Sequence, residues 1–324
     1  MTPCARPRVG VVLAAQPGAE PAAAQSHTQL DAMLRAALNL AGPPEAGRGD
    51  RVIVKPNIVC CPGLSKQYGP GAVTDLRIVR SLVAWLTERG CRVTIAEGAG
   101  GWRPAPVDGW TTDWGGEFGG LTYTAIAREF GADLLDLNFA ETVEYRASGH
   151  VYAVPRAVRD CHRLFSLSPL KTNKGAGISL AMKNFFGIAP GSVYGFPKLG
   201  LHALGPLPEL IVDLFALRPD AYGIIGGPWA VEGDADCSLR HNLLVAGPDC
   251  VALDAVGAAL MGFEPVELEF LRVAQARGLG TIDPGMIDVR GNTIEEACRT
   301  FRRSAQWEAL TSSAAVPSPA PPSA

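Results

Sequence analysis

Short apolar runs alternate with helically spaced apolar residues along most of the chain. Residues 51–55 (RVIVK) are mostly β-branched, which is typical of a strand covered on both faces of a parallel sheet. Apolar residues then recur every three or four positions up to residue 89, which predicts a helix capped by Thr74 or Asp75. Residues 92–96 predict the next strand, so the three segments form a βαβ unit.

The same alternation continues to the end of the chain. Further strands are predicted at residues 8–14, 133–137, 163–167, 222–226, 243–246 and 287–289. Further helices are predicted at residues 28–40, 123–130, 154–161, 207–217, 249–261, 266–277 and from 293 onward. We therefore predict an α/β protein with a mostly parallel, doubly wound sheet and helices on both faces.

The predicted domain organisation is simple. Residues 1–310 are expected to form a single domain, with two lobes at about 1–140 and 141–310 as the alternative. Residues 311–324 contain too few apolar side chains to order themselves and are predicted to be a disordered tail. Residues 98–120 hold three of the six tryptophans in a Gly-rich loop, which is either a lid over a site or a loop packed on the surface.

Composition and charge exclude several classes. A net charge of −3 argues against a general nucleic-acid binder. No apolar run approaches the ~20 residues that span a bilayer, and the apolar start of the chain is interpreted as a strand rather than a signal peptide. The eight cysteines include no C-x-x-C pair, which favours free thiols in a reducing compartment and a cytoplasmic protein. Homo-oligomer formation is left open.

Polar residues gather where the predicted strands end, and in α/β sheets ligands bind outside the carboxyl ends of strands. Lys55 and Asn57 follow one strand, and Glu97 and Gly98 follow the next. Two later clusters, at residues 171–173 and 226–232, follow two further strands. Four clusters at the same edge predict one shared site.

The strongest candidate segment is residues 166–190 (SLSPLKTNKGAGISLAMKNFFGIAP). Six of the 29 basic residues are lysine, and Lys171, Lys174 and Lys183 all fall in this segment. Gly175 lets the backbone approach a ligand, and the start of a following helix would offer free N–H groups to an anion. The spacing of a Walker loop is absent, and prolines rather than a helix follow the glycines at 98–101, so neither a P-loop nor a Rossmann site is predicted.

Other candidates are less specific. His202 is predicted either to transfer protons or to make a structural hydrogen bond. Asp254 lies on an otherwise apolar helix, as a buried network residue or a site carboxylate. Adjacent Cys60 and Cys61 form the one cysteine pair with a potential redox role.

Several stretches together resemble the domain of unknown function 362 family. They include VIVKPNIV (52–59), VTIAEGAG (93–100), SLSPLKTN (166–173), ISLAMKNFFGIAPG (178–191) and VAGPDCVALDAVGAALMGFEP (245–265). Some members of that family carry a ferredoxin-like segment with four-cysteine clusters, and this chain lacks one, so no iron–sulfur cluster is expected. Many members of that family carry histidine where this chain has Asn173, and the change removes a metal ligand or proton shuttle. The order of parts is also distantly similar to that of nickel-pincer racemases, in which a lysine analogous to Lys183 tethers the cofactor.

The leading hypothesis is an enzyme, an isomerase or lyase, that acts on a small anionic metabolite by acid–base chemistry. The predicted catalytic residues are Lys171, Lys183, Glu97, Glu232 and His202. The predicted substrate-binding residues are Lys55, Asn57, Thr74, Gly98, Asn173, Lys174, Gly175 and Asn184. No metal ligand is predicted and the cofactor is unknown. One alternative is a metal- or redox-dependent protein using Cys60, Cys61 and His202, and another is a non-catalytic module that binds a small anion.

Overall fold

The computed structural model describes residues 6–14, 26–58, 69–99, 117–234 and 237–314. Its strands are β1 (Arg8–Leu13), β2 (Arg51–Lys55), β3 (Arg92–Glu97), β4 (Asp133–Asp136), β5 (Thr142–Ala147), β6 (His150–Pro155), β7 (Arg163–Ser168), β8 (Thr172–Asn173), β9 (Gly177–Ile178), β10 (Tyr222–Glu232), β11 (Cys237–Gly247) and β12 (Asp288–Gly291). Eight of these strands form one sheet in the order β12-β1-β11-β10-β7-β2-β3-β4. Strand β11 runs antiparallel to both of its neighbours, and every other neighbouring pair is parallel.

Helices cover both faces of this sheet. They are α1 (His27–Ala41), α2 (Leu76–Glu88), α3 (Tyr123–Phe130), α4 (Arg156–Asp160), α5 (Gly191–Tyr194), α6 (Leu199–His202), α7 (Leu207–Phe215), α8 (Cys250–Leu260), α9 (Glu269–Ala276), α10 (Ile294–Ala297) and α11 (Ala305–Ala314). Side chains alternate between the two faces of a strand, so Val52 and Val54 pack into one apolar core with α1 and α2, and Ile53 packs into another with α7 and α8. The predicted α/β class with a mostly parallel sheet is confirmed.

Local sequence signals predict the bounds of several of these elements accurately. Asp75 is the N-cap of α2, and its Oδ1 accepts a hydrogen bond of 2.9 Å from the backbone N–H of Arg77. Strand β2 and helix α3 have the predicted bounds.

Three regions differ from the sequence-based prediction. Strands β5 and β6 form a hairpin where only a helix from residue 154 was expected. Strands β10 and β11 extend well beyond the predicted runs because they pair with each other over most of their length, with a bulge near Gly227 that the short apolar runs did not reveal. Helix α11 includes residues 311–314, which were predicted to belong to a disordered tail, and residues 315–324 lie outside the described residues.

Within the described ranges, no helix combines the length and the apolar character that crossing a membrane requires.

Candidate functional site

A cavity of about 290 Å³ opens at the carboxyl ends of β2, β3 and β7, which are neighbours in the sheet. Its walls are formed by Lys55, Asn57, Glu97, Gly98, Lys171, Asn173, Ser179, Lys183, Asn184, Phe186, Gly187, Pro197, Lys198 and His202. Four of these residues are lysines and one is a carboxylate. The described lining is therefore rich in positive charge, and an anion is the ligand that it would attract.

The floor of the cavity, by which we mean Lys55, Asn57, Glu97, Lys171 and Asn184, is built around a buried ion pair. Lys55 is the last residue of β2 and Glu97 the last residue of β3, so the parallel pairing of these strands brings the two side chains together. Lys55 Nζ donates to Glu97 Oε2 at 2.6 Å, and Lys55 is fully buried. Burial lowers the pKa of Lys55, and the carboxylate of Glu97 opposes that shift.

Asn184 and Asn57 complete the hydrogen bonding of this pair. Asn184 Oδ1 accepts from Lys55 Nζ at 3.0 Å and from Asn57 Nδ2 at 3.2 Å. Asn184 Nδ2 donates to the carbonyl oxygen of Lys55 at 3.0 Å. Buried amides with this many partners have one permitted orientation, so the floor is rigid.

Lys171 joins the floor from the loop after β7. Its Nζ donates to Asn57 Oδ1 at 2.8 Å and to the carbonyl oxygen of Ala72 at 3.0 Å. The ammonium is therefore oriented by the protein as well as exposed to the cavity. Its charge contributes to the cavity whether or not it touches a ligand.

Gly187 is required by the closeness of the backbone to the ion pair. A Cβ at this position would lie 2.5 Å from Glu97 Oε1 and 2.6 Å from Lys55 Nζ, which is closer than Cβ atoms come to other atoms in proteins. The segment GIAP therefore packs directly on the floor, and only glycine permits this contact.

The rim of the cavity, by which we mean Lys183, Phe186, Lys198 and His202, is constructed differently. Lys183 Nζ lies 5.3 Å from the centre of the Phe186 ring, and the centre of the His202 ring lies 4.9 Å from the same phenyl group, with the two rings tilted by 42°. Among the described residues, Lys183 Nζ has no hydrogen-bond or ion-pair partner. Burial lowers its pKa to about 8.

His202 is the last residue of α6 and lies at the exposed side of the rim. Partial burial lowers its pKa, and the positive charge of Lys183 lowers it further. The imidazole is therefore neutral at pH 7 and able to accept a proton.

Lys198 is the one charged residue of the described lining that the sequence did not predict. Its Nζ donates to the carbonyl oxygens of Gly98 and Gly187, each at 3.2 Å, and burial lowers its pKa to about 8. Its backbone adopts φ +36°, a left-handed conformation that residues other than glycine rarely adopt. No periodic pattern marks this loop, but the rarity of lysine in the chain is a signal: four of its six lysines line the cavity.

The predicted anion site on backbone N–H groups is occupied by the protein itself. The segment after residue 180 forms a 3₁₀ turn (Lys183–Ile188) rather than an α-helix. The N–H groups of Ala181 and Met182 each donate to a carboxylate oxygen of Asp254, both at 2.9 Å. Burial raises the pKa of Asp254 to about 8, and the two N–H donors oppose the shift. Asp254 is thus a buried network residue.

The KTNKGAG loop forms the small hairpin of β8 and β9. Asn173 Oδ1 accepts from the N–H groups of Gly175 and Ala176 at 3.1 and 3.0 Å and so stabilises the turn. Asn173 still lines the cavity, whereas Lys174 is exposed and Gly175 packs beside Leu207. Lys174 and Gly175 therefore do not belong to the lining of this cavity.

Two other predicted residues lie away from the cavity wall. Thr74 is buried behind the floor, where its Oγ1 accepts from the N–H of Asn57 at 2.8 Å and donates to the carbonyl oxygen of Leu167. Glu232 ends β10, and its Oε2 accepts from the N–H of Arg302 at 3.0 Å. Cys60, Cys61 and the three tryptophans of the 98–120 loop lie outside the described residues.

Within the part of the chain that the structure describes, no three His, Cys, Asp or Glu side chains gather as metal ligands would.

The fold and the site together define an α/β protein with a lysine-lined cavity at the carboxyl edge of its sheet. The model of the family described as "Domain of unknown function (DUF362)" matches residues 52–259, and the chain belongs to this family. The matched range covers every residue that lines the cavity.

Two further comparisons add little. No curated protein matches the chain. Among solved structures, the lactate racemase apoprotein from Thermoanaerobacterium thermosaccharolyticum is similar with a TM-score of 0.39 and 12% identity. The match covers 67% of this chain and 51% of the racemase, so this chain spans about half of that structure. A similarity of this size carries no argument about function.

Proposed function

We propose that this protein is an enzyme that binds a small anionic metabolite in the cavity and moves a proton on it, as an isomerase or lyase does. The observation that carries the proposal is the state of Lys183. Its amine lines a polar cavity, has no partner among the described residues, and has a pKa of about 8. A pKa near the working pH is what a general base or acid requires.

The remaining cationic side chains would bind the substrate. Lys171 and Lys198 are oriented by carbonyl oxygens and Asn57, so their charges are held in place before a carboxylate or phosphate arrives. The strained backbone at Lys198, which costs of the order of 1–3 kcal/mol, is typical of functional sites. Asn173 Nδ2 donates to no atom among the described residues and would orient the anion.

Lys183 and His202, which both lie against Phe186, would transfer protons. Glu97 is assigned no proton transfer because both of its carboxylate oxygens already accept hydrogen bonds, from Gly98 N–H and Lys55 Nζ. Glu232 is assigned no proton transfer either, because it is not among the residues that line the cavity. The proposal includes a cytoplasmic location, and light scattering after gel filtration would test homo-oligomer formation.

The test has two stages. Native mass spectrometry of protein purified without an affinity tag identifies a small anion that copurifies. That compound is then incubated with the protein in D₂O, and NMR follows exchange of its carbon-bound hydrogens. We expect exchange whose rate rises with pH and levels off above about pH 8, where Lys183 is neutral.

Lys183→Met should abolish this exchange, and the matched control Lys174→Met should not, since Lys174 is exposed and lies outside the cavity. Tight binding of the anion with no hydrogen exchange would refute the enzyme proposal and identify a non-catalytic binding module. Stoichiometric metal in the same preparation, found by elemental analysis, would favour the metal- or redox-dependent alternative.

A further inference from the structure

The four lysines of the cavity differ in what their amines contact. Lys55, Lys171 and Lys198 each donate to oxygen atoms of the protein at 2.6 to 3.3 Å. Lys183 Nζ instead lies against the Phe186 ring and makes no hydrogen bond or ion pair with any described residue. An amine in this position has an uncommitted lone pair whenever it is neutral.

The surroundings of Lys183 favour that neutral form. Its pKa of about 8 leaves roughly a quarter of the amine neutral at pH 7.5, against about one part in a thousand for an ordinary lysine. Burial lowers the pKa of Lys183, and the charge of Lys183 in turn lowers the pKa of its neighbours Lys198 and His202. Desolvated lysines beside other cationic groups are the ones that attack carbonyl carbons.

We propose that Lys183 forms an imine with a small aldehyde or ketone that also carries a carboxylate or phosphate group. This inference rests on the proposed function, because the anionic group of the substrate must be held by the cavity. The cavity of about 290 Å³ has room for a compound of this kind. The cationic side chains of Lys171 and Lys198 would hold its anionic group while the carbonyl carbon faces Lys183.

The step balances without any further reactant. The lone pair of the neutral Lys183 amine forms the C–N bond, the carbonyl π bond breaks, and the oxygen takes up a proton to give a carbinolamine. The nitrogen then loses a proton, the hydroxyl gains one and leaves as water, and the nitrogen lone pair forms the C=N bond, which gives the iminium directly. His202, which is close enough to Lys183 for their charges to interact, accepts and returns the proton. An iminium withdraws electrons from the adjacent carbon, which is what proton removal there requires.

Borohydride trapping tests this inference, because it reduces an imine to a stable secondary amine. The purified protein is incubated with glyoxylate, pyruvate or dihydroxyacetone phosphate at pH 7.5, reduced, digested and analysed by peptide mass spectrometry. We expect the adduct on Lys183, at least about tenfold above the level on exposed Lys174. Acetone, which has no charge, should label Lys183 at least tenfold less. The carboxylate and phosphate probes show which anionic group the cavity prefers.

Lys183→Arg keeps the charge but removes the nucleophile, and Lys183→Met serves if the arginine variant does not fold. Both should lose the adduct and retain their circular dichroism spectrum. Equal labelling of all lysines, labelling centred on Lys171 or Lys198, or no adduct with any of the three probes would overturn the inference. Calorimetry distinguishes the two proposals. Probes that bind without forming an adduct support the anion site and contradict imine formation. Probes that neither bind nor react contradict imine formation, and hydrogen exchange on the copurified anion then tests the proposed function by itself.

Discussion

The floor and the rim of the cavity use the same residue type in opposite ways. On the floor, Lys55 is buried with a carboxylate and an amide as partners, and its position is determined from every side. On the rim, Lys183 is half-buried without a partner among the described residues, and its charge is opposed by its surroundings. The comparison shows two settings for lysine in one cavity: the ammonium of Lys55 is satisfied by the protein, whereas that of Lys183 makes no hydrogen bond or ion pair with any described residue.

The largest expected effect comes from breaking the floor. Glu97→Gln removes the partner of a fully buried ammonium, which typically destabilises a protein by about 3–5 kcal/mol. Urea denaturation measures the loss. The double variant Lys55→Met/Glu97→Leu leaves no unpaired charge and should lose much less. A loss below about 1 kcal/mol in Glu97→Gln would show that the floor is not held by this pair.

A second buried polar group whose hydrogen bonds are satisfied by the protein is Asp254. Asp254→Asn places an amide donor against one of the two backbone N–H groups, and we expect a loss of about 2–3 kcal/mol in the free energy of unfolding. Asp283→Asn is the matched control, since Asp283 is an exposed cap whose Oδ1 accepts one N–H, and asparagine replaces it well. Equal losses in the two variants would contradict the buried network.

On the rim, removing the charge of Lys183 should stabilise the protein. The pKa of Lys183 is about 8 when folded and ordinary when unfolded, so the unfolded chain binds more protons between about pH 8 and 10.4. The unfavourable contribution is therefore complete below pH 8 and disappears as the pH rises towards 10.4. Lys183→Met should gain about 1–3 kcal/mol at pH 7 and much less at pH 10.

Chemical denaturation across this pH range checks the prediction. Lys174→Met should give no such pH-dependent gain, because Lys174 is exposed. A loss of stability in Lys183→Met at pH 7 would mean that the lysine has a stabilising partner.

The smallest expected effect is a change in the pKa of His202 at the rim. Burial and the charge of Lys183 both lower the pKa of His202, so Lys183→Met should raise that pKa. NMR titration of the imidazole signals measures this change. His241 is an internal control, because burial and Arg299 lower its pKa to about 4 and no lysine is involved. An unchanged His202 titration would show that the two side chains do not interact.

The sequence by itself determined the fold class and the floor of the cavity. The pattern of Val-rich strands shows which residues come at the strand ends. Because the carboxyl ends of neighbouring parallel strands lie at the same edge of a sheet, the sequence predicts that Lys55, Glu97 and Lys171 share one site, and all three line the cavity. Gly187 and Asn184 lie in the segment that the pattern had already marked.

Only the tertiary structure decided which polar groups remain unsatisfied. Asp254 is more than 70 residues from the N–H groups that it binds, and Lys198 reaches the cavity from a loop without periodicity. The direction of Lys183, the exposure of Lys174 and the distance of Glu232 from the cavity depend likewise on contacts between remote segments. Local sequence sets where a strand or helix forms, whereas the burial and the partners of a charge are set by whatever the rest of the chain packs around it.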